Sequence, residues 1–468
     1  MKILNIKNNW FSESDLRLDA SYHLSEGRVT KLMINNCPYD IEPLQNVTNK
    51  IFNGARFKRY YVDNPEKGIP FMGSSDMLKT DLNGLKFISK KLSKNINSLK
   101  IEKDWILVSC SGTIGKTVFS NVDFHNKTAS QHIMRIVANK KIQSGYLYAF
   151  LSSKYGYSLL TQGTYGAVIQ HIEPNHIVDL PIPLIPDSKQ IIIHNLIKEA
   201  SNLQSEANNL LSEAENDFHS NNNISYLLNQ IAQSENAIQT GFIVNKSELF
   251  TKTIKARNHS LRARQIIDIW NSKPGILFKD FVSEEGLTRG MGGFFKRVSG
   301  SNIIGLDIIS QGDIHERKPI YKKVIKKNIK DSEIAKTGMV IIPSAGTLGE
   351  NEIFLRPQLI YKNFEGKILS EVVGKIRPKN LIYAAYLFTA LKSIGGFRIL
   401  RTLVYGTNLM YPNWELMKNI NIPCKDESTM IKIAEKVIEG YEKLALAAEK
   451  EINAIKLIET EIESWQKS

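Results

Sequence analysis

The residue types with the most suggestive chemistry lie in Val108-Ser109-Cys110-Ser111-Gly112-Thr113-Ile114-Gly115-Lys116-Thr117. Gly115-Lys116-Thr117 ends like a phosphate-binding loop, where glycines let backbone amides and a lysine wrap around phosphate. The first glycine of such a loop would stand at Cys110, and a side chain there crowds the amides. A second copy, Ile341-Ile342-Pro343-Ser344-Ala345-Gly346-Thr347-Leu348-Gly349-Glu350, keeps the apolar lead-in and the Gly-Thr-aliphatic-Gly core. It carries an acid where the lysine stood. The pair therefore reads as a strand and a tight turn used twice, with Gly112, Gly115, Gly346 and Gly349 shaping the turn. Lys116 adjoins the turn and could reach a phosphate group.

Other residues suit contact with a polyanion. Arg56-Phe57-Lys58-Arg59-Tyr60-Tyr61 alternates basic and aromatic side chains, and Phe295-Lys296-Arg297, with Arg289 nearby, has the same character. Lys and Arg neutralise phosphates or bond to guanine edges. Gln131, Gln170 and Asn408 carry the amide that can read adenine with two hydrogen bonds, although each also fits a structural role. The DNA-contact candidates are thus Arg56, Lys58, Arg59, Tyr60, Lys116, Gln131, Gln170, Arg289, Lys296, Arg297 and Asn408. His132 and His171 read as hydrogen-bonded structural histidines, because no cysteine or carboxylate stands at metal-ligand spacing from them. A complete Walker A loop, a Gly-x-Ser-x-Gly elbow and an amino-methyltransferase tetrapeptide are all missing. A nuclease carboxylate cluster has spacing too loose to recognise in one sequence.

These residues need a scaffold. The 468-residue chain is too long for one ordinary core, so two or more domains are expected. Hydrophobic content of 42% and charged content of 23% describe a soluble globular protein. Sixty-one Lys+Arg against 47 Asp+Glu leave a net charge of +14, which suits nucleic acid. The sequence has no run of about 18 apolar residues and no signal-peptide core, and its three cysteines form no zinc or disulfide framework. A cytoplasmic protein without a membrane partner is expected.

Along the chain, a strand running into a turn is expected over residues 68–76, strands over residues 104–109 and 132–137, and one apolar helix over residues 146–160. Residues 188–218 form a helix with Ile192, Leu196, Ala200, Leu203, Ala207, Leu210 and Ala214 on one seam. Ser220-Asn221-Asn222-Asn223 interrupts it, and a further short helix is expected over residues 224–239. Residues 430–468 form a longer helix with a stripe of Ile433, Val437, Tyr441, Leu444, Ala448, Ile452, Ile455, Ile458, Ile462 and Trp465.

Between the helices the first part of the chain recurs. Phe-Lys-Arg at 295–297 is set against 57–59, Gly300 to Gly305 and Asp307 against Gly68 to Gly73 and Asp76, Tyr405-Gly406 against Tyr165-Gly166, and Asn421-Ile422-Pro423 against Pro181-Ile182-Pro183. Collinear matches indicate a duplicated domain. The expected division is residues 1–187, a first globular domain; 188–241, a helical spacer; 242–425, a second globular domain; and 426–468, a second helical spacer. The fold class is α+β.

This plan resembles the specificity subunit of type I restriction–modification systems. The carrying residues are Ser111-Gly112-Thr113-Ile114-Gly115, Ala129-Ser130-Gln131-His132, Gly166 through Gln170-His171-Ile172, and Leu180-Pro181-Ile182-Pro183-Leu184 leading into the helix, with Ala345-Gly346-Thr347-Leu348-Gly349 and Asn421-Ile422-Pro423 in the second half. The resemblance implies two tandem target recognition domains, each reading one half of a split DNA site, and an antiparallel coiled coil as spacer. It also implies docking of two methyltransferase subunits and of restriction subunits. S-adenosylmethionine, ATP and magnesium would belong to those partners, leaving this chain non-catalytic and without a cofactor. The sequence departs from the pattern in two respects: no Ser-Gln-His follows the second glycine turn, where Tyr361-Lys362-Asn363 falls in that region, and the first helical region is broken by the asparagine run whereas the C-terminal one is longer and cleaner. The alternatives are a stand-alone DNA-modifying enzyme, nuclease or adenine methyltransferase, and a coiled-coil scaffold with no DNA role.

Overall fold

The computed structural model describes residues 20–93, 96–162, 171–225, 243–246, 249, 253–288, 297–298, 305–325, 329–349 and 352–466. The chain divides into two compact units, residues 1–205 with 446–468, and residues 206–445.

The first unit begins with helix α1 (Glu26–Ile34), capped by Ser25, whose side chain accepts from the Arg28 amide. The strands follow as β1 (Ile41–Pro43), β2 (Thr48–Asn53), β3 (Tyr61–Val62), β4 (Gly68–Met72), β5 (Lys86–Ser89), β6 (Ile106–Ser109), β7 (Thr117–Phe119), β8 (Thr128–Ala129), β9 (Ile133–Ala138) and β10 (Pro181–Pro183). One sheet has the order β2-β9-β6-β7, another β3-β5-β4-β8, and β1 pairs with β10. Strand β6 is an unbroken apolar run because it is buried on both faces. Ile106 and Val108 enter the larger core with Met134 and Ile136, while Leu107 enters a smaller one with Met72, Phe124 and Ile133.

Helices α2 (Ser144–Ser152) and α3 (Lys154–Gln162) cover the larger core. They correct the expectation of one helix over residues 146–160. Ser153 takes an extended ψ of 162°, donates to the Phe150 carbonyl at 2.7 Å and accepts from the Gly156 amide at 3.1 Å. A Cβ on Gly156 would overlap the Phe150 carbonyl oxygen, so the sharp bend needs glycine there. Helix α4 (Asp187–Asn221) follows, giving residues 187–205 to the first unit and 206–221 to the second. It ends at the expected asparagine run, where Asn223 adopts a φ of 52° and the Ile224 amide bonds to the His219 carbonyl at 2.9 Å. The further helix expected over residues 224–239 lies mostly outside the described residues.

The second unit contains α5 (Leu261–Asn271), then β11 (Gly275–Leu277), β12 (Val282–Thr288), β13 (Arg297–Val298), β14 (Leu306–Ile309), β15 (Lys322–Val324), β16 (Val340–Pro343), β17 (Gln358–Leu359), β18 (Ile368–Leu369) and β19 (Val373–Pro378). Helices α6 (Leu381–Lys392) and α7 (Ile394–Thr402), the hairpin of β20 (Val404–Gly406) and β21 (Met410–Pro412), and β22 (Asn421–Pro423) complete it. Its sheets have the orders β12-β19-β16-β17 and β13-β15-β14-β18, and β11 pairs with β22. Registers recur as well as orders. Ile106 faces Ile136 as Val340 faces Ile376, and Met72 pairs with Ala129 as Ile309 pairs with Leu369. Tyr146 donates to the Pro183 carbonyl and Tyr386 to the Pro423 carbonyl, each at 2.6 Å. The helix bend recurs too, with Ser393 donating to Ala390 and accepting from Gly396.

Helix α8 (Glu427–Ser464) closes the chain and runs about 57 Å at 1.5 Å per residue. Within each unit it packs antiparallel to α4. In the first, Lys450 meets Glu199 at 2.5 Å and Lys189 meets Glu461 at 2.6 Å; in the second, Lys443 meets Glu206 at 2.9 Å and Lys436 meets Asp217 at 2.8 Å. Such exposed pairs contribute at most about 1 kcal/mol each, so they set direction and register more than strength. The buried face of α4 is Ile193, Ile197, Ala200, Ala207, Leu211, Ala214 and Phe218; Ala200, Ala207 and Ala214 lie on the expected seam, while Ile193, Ile197 and Leu211 stand one position later than expected. Ile192 is 56% exposed and Ile452, expected inside, is 61% exposed. The run Ile191-Ile192-Ile193 made the phase ambiguous, and the core selects Ile193.

Small residues seven apart, Ala200, Ala207 and Ala214 on α4, with Gly440, Ala447 and Ala454 on α8, are all buried. They let the helices approach closely: a Cβ on Gly440 would lie 3.3 Å from the Ala207 carbonyl. Ala207→Leu is expected to destabilise the second unit by about 2 kcal/mol through overpacking, read by urea or thermal denaturation.

Candidate nucleic-acid interface

The glycine turn opens the site. Gly112 and Gly115 have φ of 74° and 77°, a region that favours glycine, and a Cβ on Gly115 would press on Thr161 and Tyr157. The Gly115 amide bonds to the Ser109 carbonyl at 2.9 Å and the Lys116 amide to Ser109 Oγ at 3.0 Å. These donors therefore point into the turn and away from any phosphate. In the second unit Gly346 and Gly349 are not in the positive-φ region; Gly346 packs on Phe354, while Arg401 donates to the Thr347 and Gly349 carbonyls at 2.9–3.0 Å. The same sequence core thus supports two different turns. Lys116 is half-buried at the end of the first turn, and Glu350 lies outside the described residues.

The end of β6 next to that turn joins three segments. The Cys110 amide bonds to the His132 carbonyl at 2.9 Å, its carbonyl accepts from the Ile172 amide at 3.1 Å, and Ser111 bridges to His171. Burial pushes the Cys110 thiol up to about 12, so it stays protonated and plays no nucleophilic part.

Ser130, Gln131 and His132 form the turn between β8 and β9. The Ser130 amide bonds to Met72 and its hydroxyl accepts from the His132 amide at 3.2 Å. Gln131 is thereby aimed at the basic-aromatic segment between β2 and β3. Arg59 Nη2 donates to Gln131 Oε1 at 2.9 Å, and its guanidinium lies 5.1 Å from the Phe71 ring centroid. Gln131 Nε2 lies 3.0 Å from His132 Nε2, and the His132 and His171 rings are 6.4 Å apart. Burial, then Arg59, His171 and Arg56, hold the His132 imidazole below its ordinary value. Lys58 stacks on Tyr60 at 5.3 Å and Lys86 on Tyr61 at 5.6 Å. Arg56, Lys58, Tyr60 and Tyr61 are exposed, giving a surface of cations backed by rings.

The structure brings Arg59 and Gln131 into contact and sets Arg56, Lys58 and Tyr60 on the same segment. Asn408 is exposed in the β20–β21 hairpin of the second unit, below which Gly346 and Met410 exchange amide hydrogen bonds. Gln170, Arg289 and Lys296 lie outside the described residues, as does the side chain of Arg297.

The strand ladders correct three sequence matches. Arg297 faces Val324 as Tyr61 faces Ile88, so Arg297 corresponds to Tyr61 and not to Arg59. The Gly73 amide bonds to Asp76 Oδ2 at 2.9 Å and the Ser310 amide to Asp313 Oδ2 at 2.7 Å, so Asp313, not Asp307, matches Asp76. Ser370 bonds to Ile309 as Ser130 does to Met72, so Ser370-Glu371-Val372 is the counterpart of Ser130-Gln131-His132, and Tyr361-Lys362-Asn363 is not.

One functional residue was missed altogether. Arg135, on β9, is fully buried and donates to the carbonyls of Ala129 (2.7 Å), Ser130 (3.0 Å), Ile133 (2.5 Å) and Leu99 (3.2 Å). It holds the turn that presents Gln131. Burial pulls its guanidinium down to about 10, which leaves it charged at neutral pH. Lys375, 3% exposed, takes the same ladder position in the second unit, facing Ile341 as Arg135 faces Leu107. The signal was present in the sequence: one cation inside each of two apolar strands, Ile133-Met134-Arg135-Ile136 and Val373-Gly374-Lys375-Ile376.

Residues 43–216, which include the whole Arg59–Gln131–His132 cluster and Arg135, match the family described as type I restriction modification DNA specificity domain. Residues 43–216 carry that specificity domain. Among solved structures, the chain is similar to the type I restriction–modification system S subunit from M. genitalium, at 14% identity, covering 92% of this chain and 96% of that one with a TM-score of 0.34. It is also similar to the HsdS subunit from Thermoanaerobacter tengcongensis, at 13% identity, covering 91% and 96% with a TM-score of 0.27. No curated protein matched. Among the described residues, no helix is long and apolar enough to cross a membrane.

Proposed function

We propose that this chain is the DNA sequence-specificity subunit of a type I restriction–modification complex and reads a bipartite duplex through two target recognition domains. The observation that carries the reading is the match of a DNA specificity domain to the very segment that presents Arg59, Gln131 and His132 on a cationic, aromatic surface. The recurrence of strand orders and registers in the second unit supports a duplicated reader. Its turn offers Glu371 where the first offers Gln131, so the two halves of the site would differ: a carboxylate accepts from cytosine N4, whereas an amide suits adenine.

Helices α4 and α8, with their heptad-spaced small residues, support an antiparallel coiled coil as spacer and as the seat for two methyltransferase subunits, with restriction subunits joining that core. In this reading the chain itself performs no chemistry. S-adenosylmethionine, ATP and magnesium belong to the partner subunits.

The test is selection from random duplexes with the chain purified alongside its methyltransferase subunits. Enrichment of a two-part sequence with a fixed gap is expected. Absence of any enriched sequence, or labelled methyl transfer or DNA cleavage by this chain alone, would overturn the proposal.

A further inference from the structure

The hydrogen bonds around Gln131 fix more than its position. A guanidinium only donates, so the Gln131 oxygen must face Arg59, and the amide nitrogen must then face His132. The nitrogen donates, so His132 Nε2 must be a bare acceptor and the ring must be neutral, with its proton on Nδ1. With one lone pair and one N–H engaged, the amide keeps one acceptor and one donor. That pair of groups complements the N6 amine and N7 of adenine in the major groove.

We propose that neutral His132 is a positioning residue that locks the Gln131 amide in its adenine-reading orientation, so that the first domain reads its base pair only while His132 is unprotonated. This rests on the DNA-reading role proposed above. Protonation would set an N–H on Nε2 against the amide N–H₂. Turning the amide over would only set its nitrogen against the Arg59 donors, so the amide leaves this orientation and the donor and acceptor of its reading edge are no longer held. Among the described residues, the groups facing the ring are Arg56 and Arg59 from the segment after β2, and His171 and Glu173 from the segment before β10. Burial of the ring and the three cationic or protonatable neighbours favour the neutral form, and Glu173, which also accepts from Asn53 Nδ2 at 2.8 Å, opposes them. At pH of about 8 the ring is neutral, and protonation falls below the ordinary imidazole range of about 6.5. The second domain carries Val372 at the corresponding position and so contains no such lock.

The experiment uses the full chain with its methyltransferase subunits and a duplex selected at about pH 8. Affinity for that duplex is compared with affinity for duplexes substituted in the first or the second half, at about pH 8 and about pH 5. Acid raises the charge of the protein and tightens binding to every duplex, but this term cancels in the ratios. The first-half ratio is expected to fall roughly tenfold on acidification, the scale of one lost two-bond base contact, while the second-half ratio holds. His132→Gln, which supplies a non-titrating acceptor, is expected to flatten the pH profile of the first-half ratio whatever its absolute affinity. A wild-type first-half ratio that stays level or rises in acid overturns the proposal, as does an unchanged decline in His132→Gln. The wild-type profile stands alone if that variant folds poorly. Failure to enrich any duplex at the higher pH sinks the DNA-reading role together with this inference.

Discussion

Arg135→Met is expected to destabilise the first unit by about 3–5 kcal/mol, since removing one partner from a buried hydrogen-bonded charge strands the others. The carbonyls of Leu99, Ala129, Ser130 and Ile133 cannot leave with it, and each orphaned acceptor in a closed core costs about 1–3 kcal/mol before relaxation. Methionine roughly matches the side-chain length, so the loss reports hydrogen bonding more than volume. Arg135→Lys is the informative companion. The molecule already uses lysine at the corresponding Lys375, but there the buried ammonium has Glu333 nearby, and Gly54 leaves a gap shaped to the planar guanidinium. Lysine has three donors for four carbonyls, so about half the loss is expected in urea denaturation. An Arg135→Met protein as stable as wild type would remove Arg135 from any account of how the turn is held.

The second large effect concerns binding. Arg59→Ala is expected to reduce selectivity for the first half of the selected duplex by about 1–3 kcal/mol, or roughly 5- to 150-fold, and to leave the second half unaffected. Two losses combine in that figure: a cation at the DNA surface, and the hydrogen bond that orients Gln131. Gln131→Ala should give a similar loss at the same half. The two should not add in the double variant, because contacting residues share their interaction energy. Competition binding with half-substituted duplexes gives all three values. Full additivity would mean that Arg59 and Gln131 act on separate parts of the DNA. Arg56→Ala, by contrast, should weaken binding to all duplexes alike and lower the salt slope by about 1, as expected of a phosphate contact.

The sequence made the plan legible where a pattern repeats over many residues. Periodicity marked α4 and α8, the alternating prolines marked β10, and the shared Ile-Pro pair marked its counterpart β22. Phase was less legible than existence, since three consecutive isoleucines at 191–193 allowed two seams and only packing against α8 chose between them. The bend at Ser153 was hidden because the apolar pattern runs on through it; the cause is a hydroxyl bonded to its own backbone and a glycine three residues on. Matching by residue type failed in the second half for a related reason. Glu371-Val372 does not read as Gln131-His132, and the hydrogen bond from Ser370 to Ile309, with the ladder register of Lys375, identifies the position. The phosphate-loop likeness of residues 110–117 dissolved once the amides of Gly115 and Lys116 proved to bond to Ser109.

The turns at residues 130–132 and 370–372 share their backbone hydrogen bonds and the buried cation position but not the side chains they present. Stability and information are therefore stored in different atoms. Mutations at 131, 132, 371 and 372 change what is displayed while leaving the carbonyl cage and the sheet registers untouched, so they cross little or no stability barrier. A lineage under pressure to alter its target can explore new letters at these positions one substitution at a time, with the folded scaffold intact throughout. The same separation makes them the natural positions to randomise in a library seeking new half-sites.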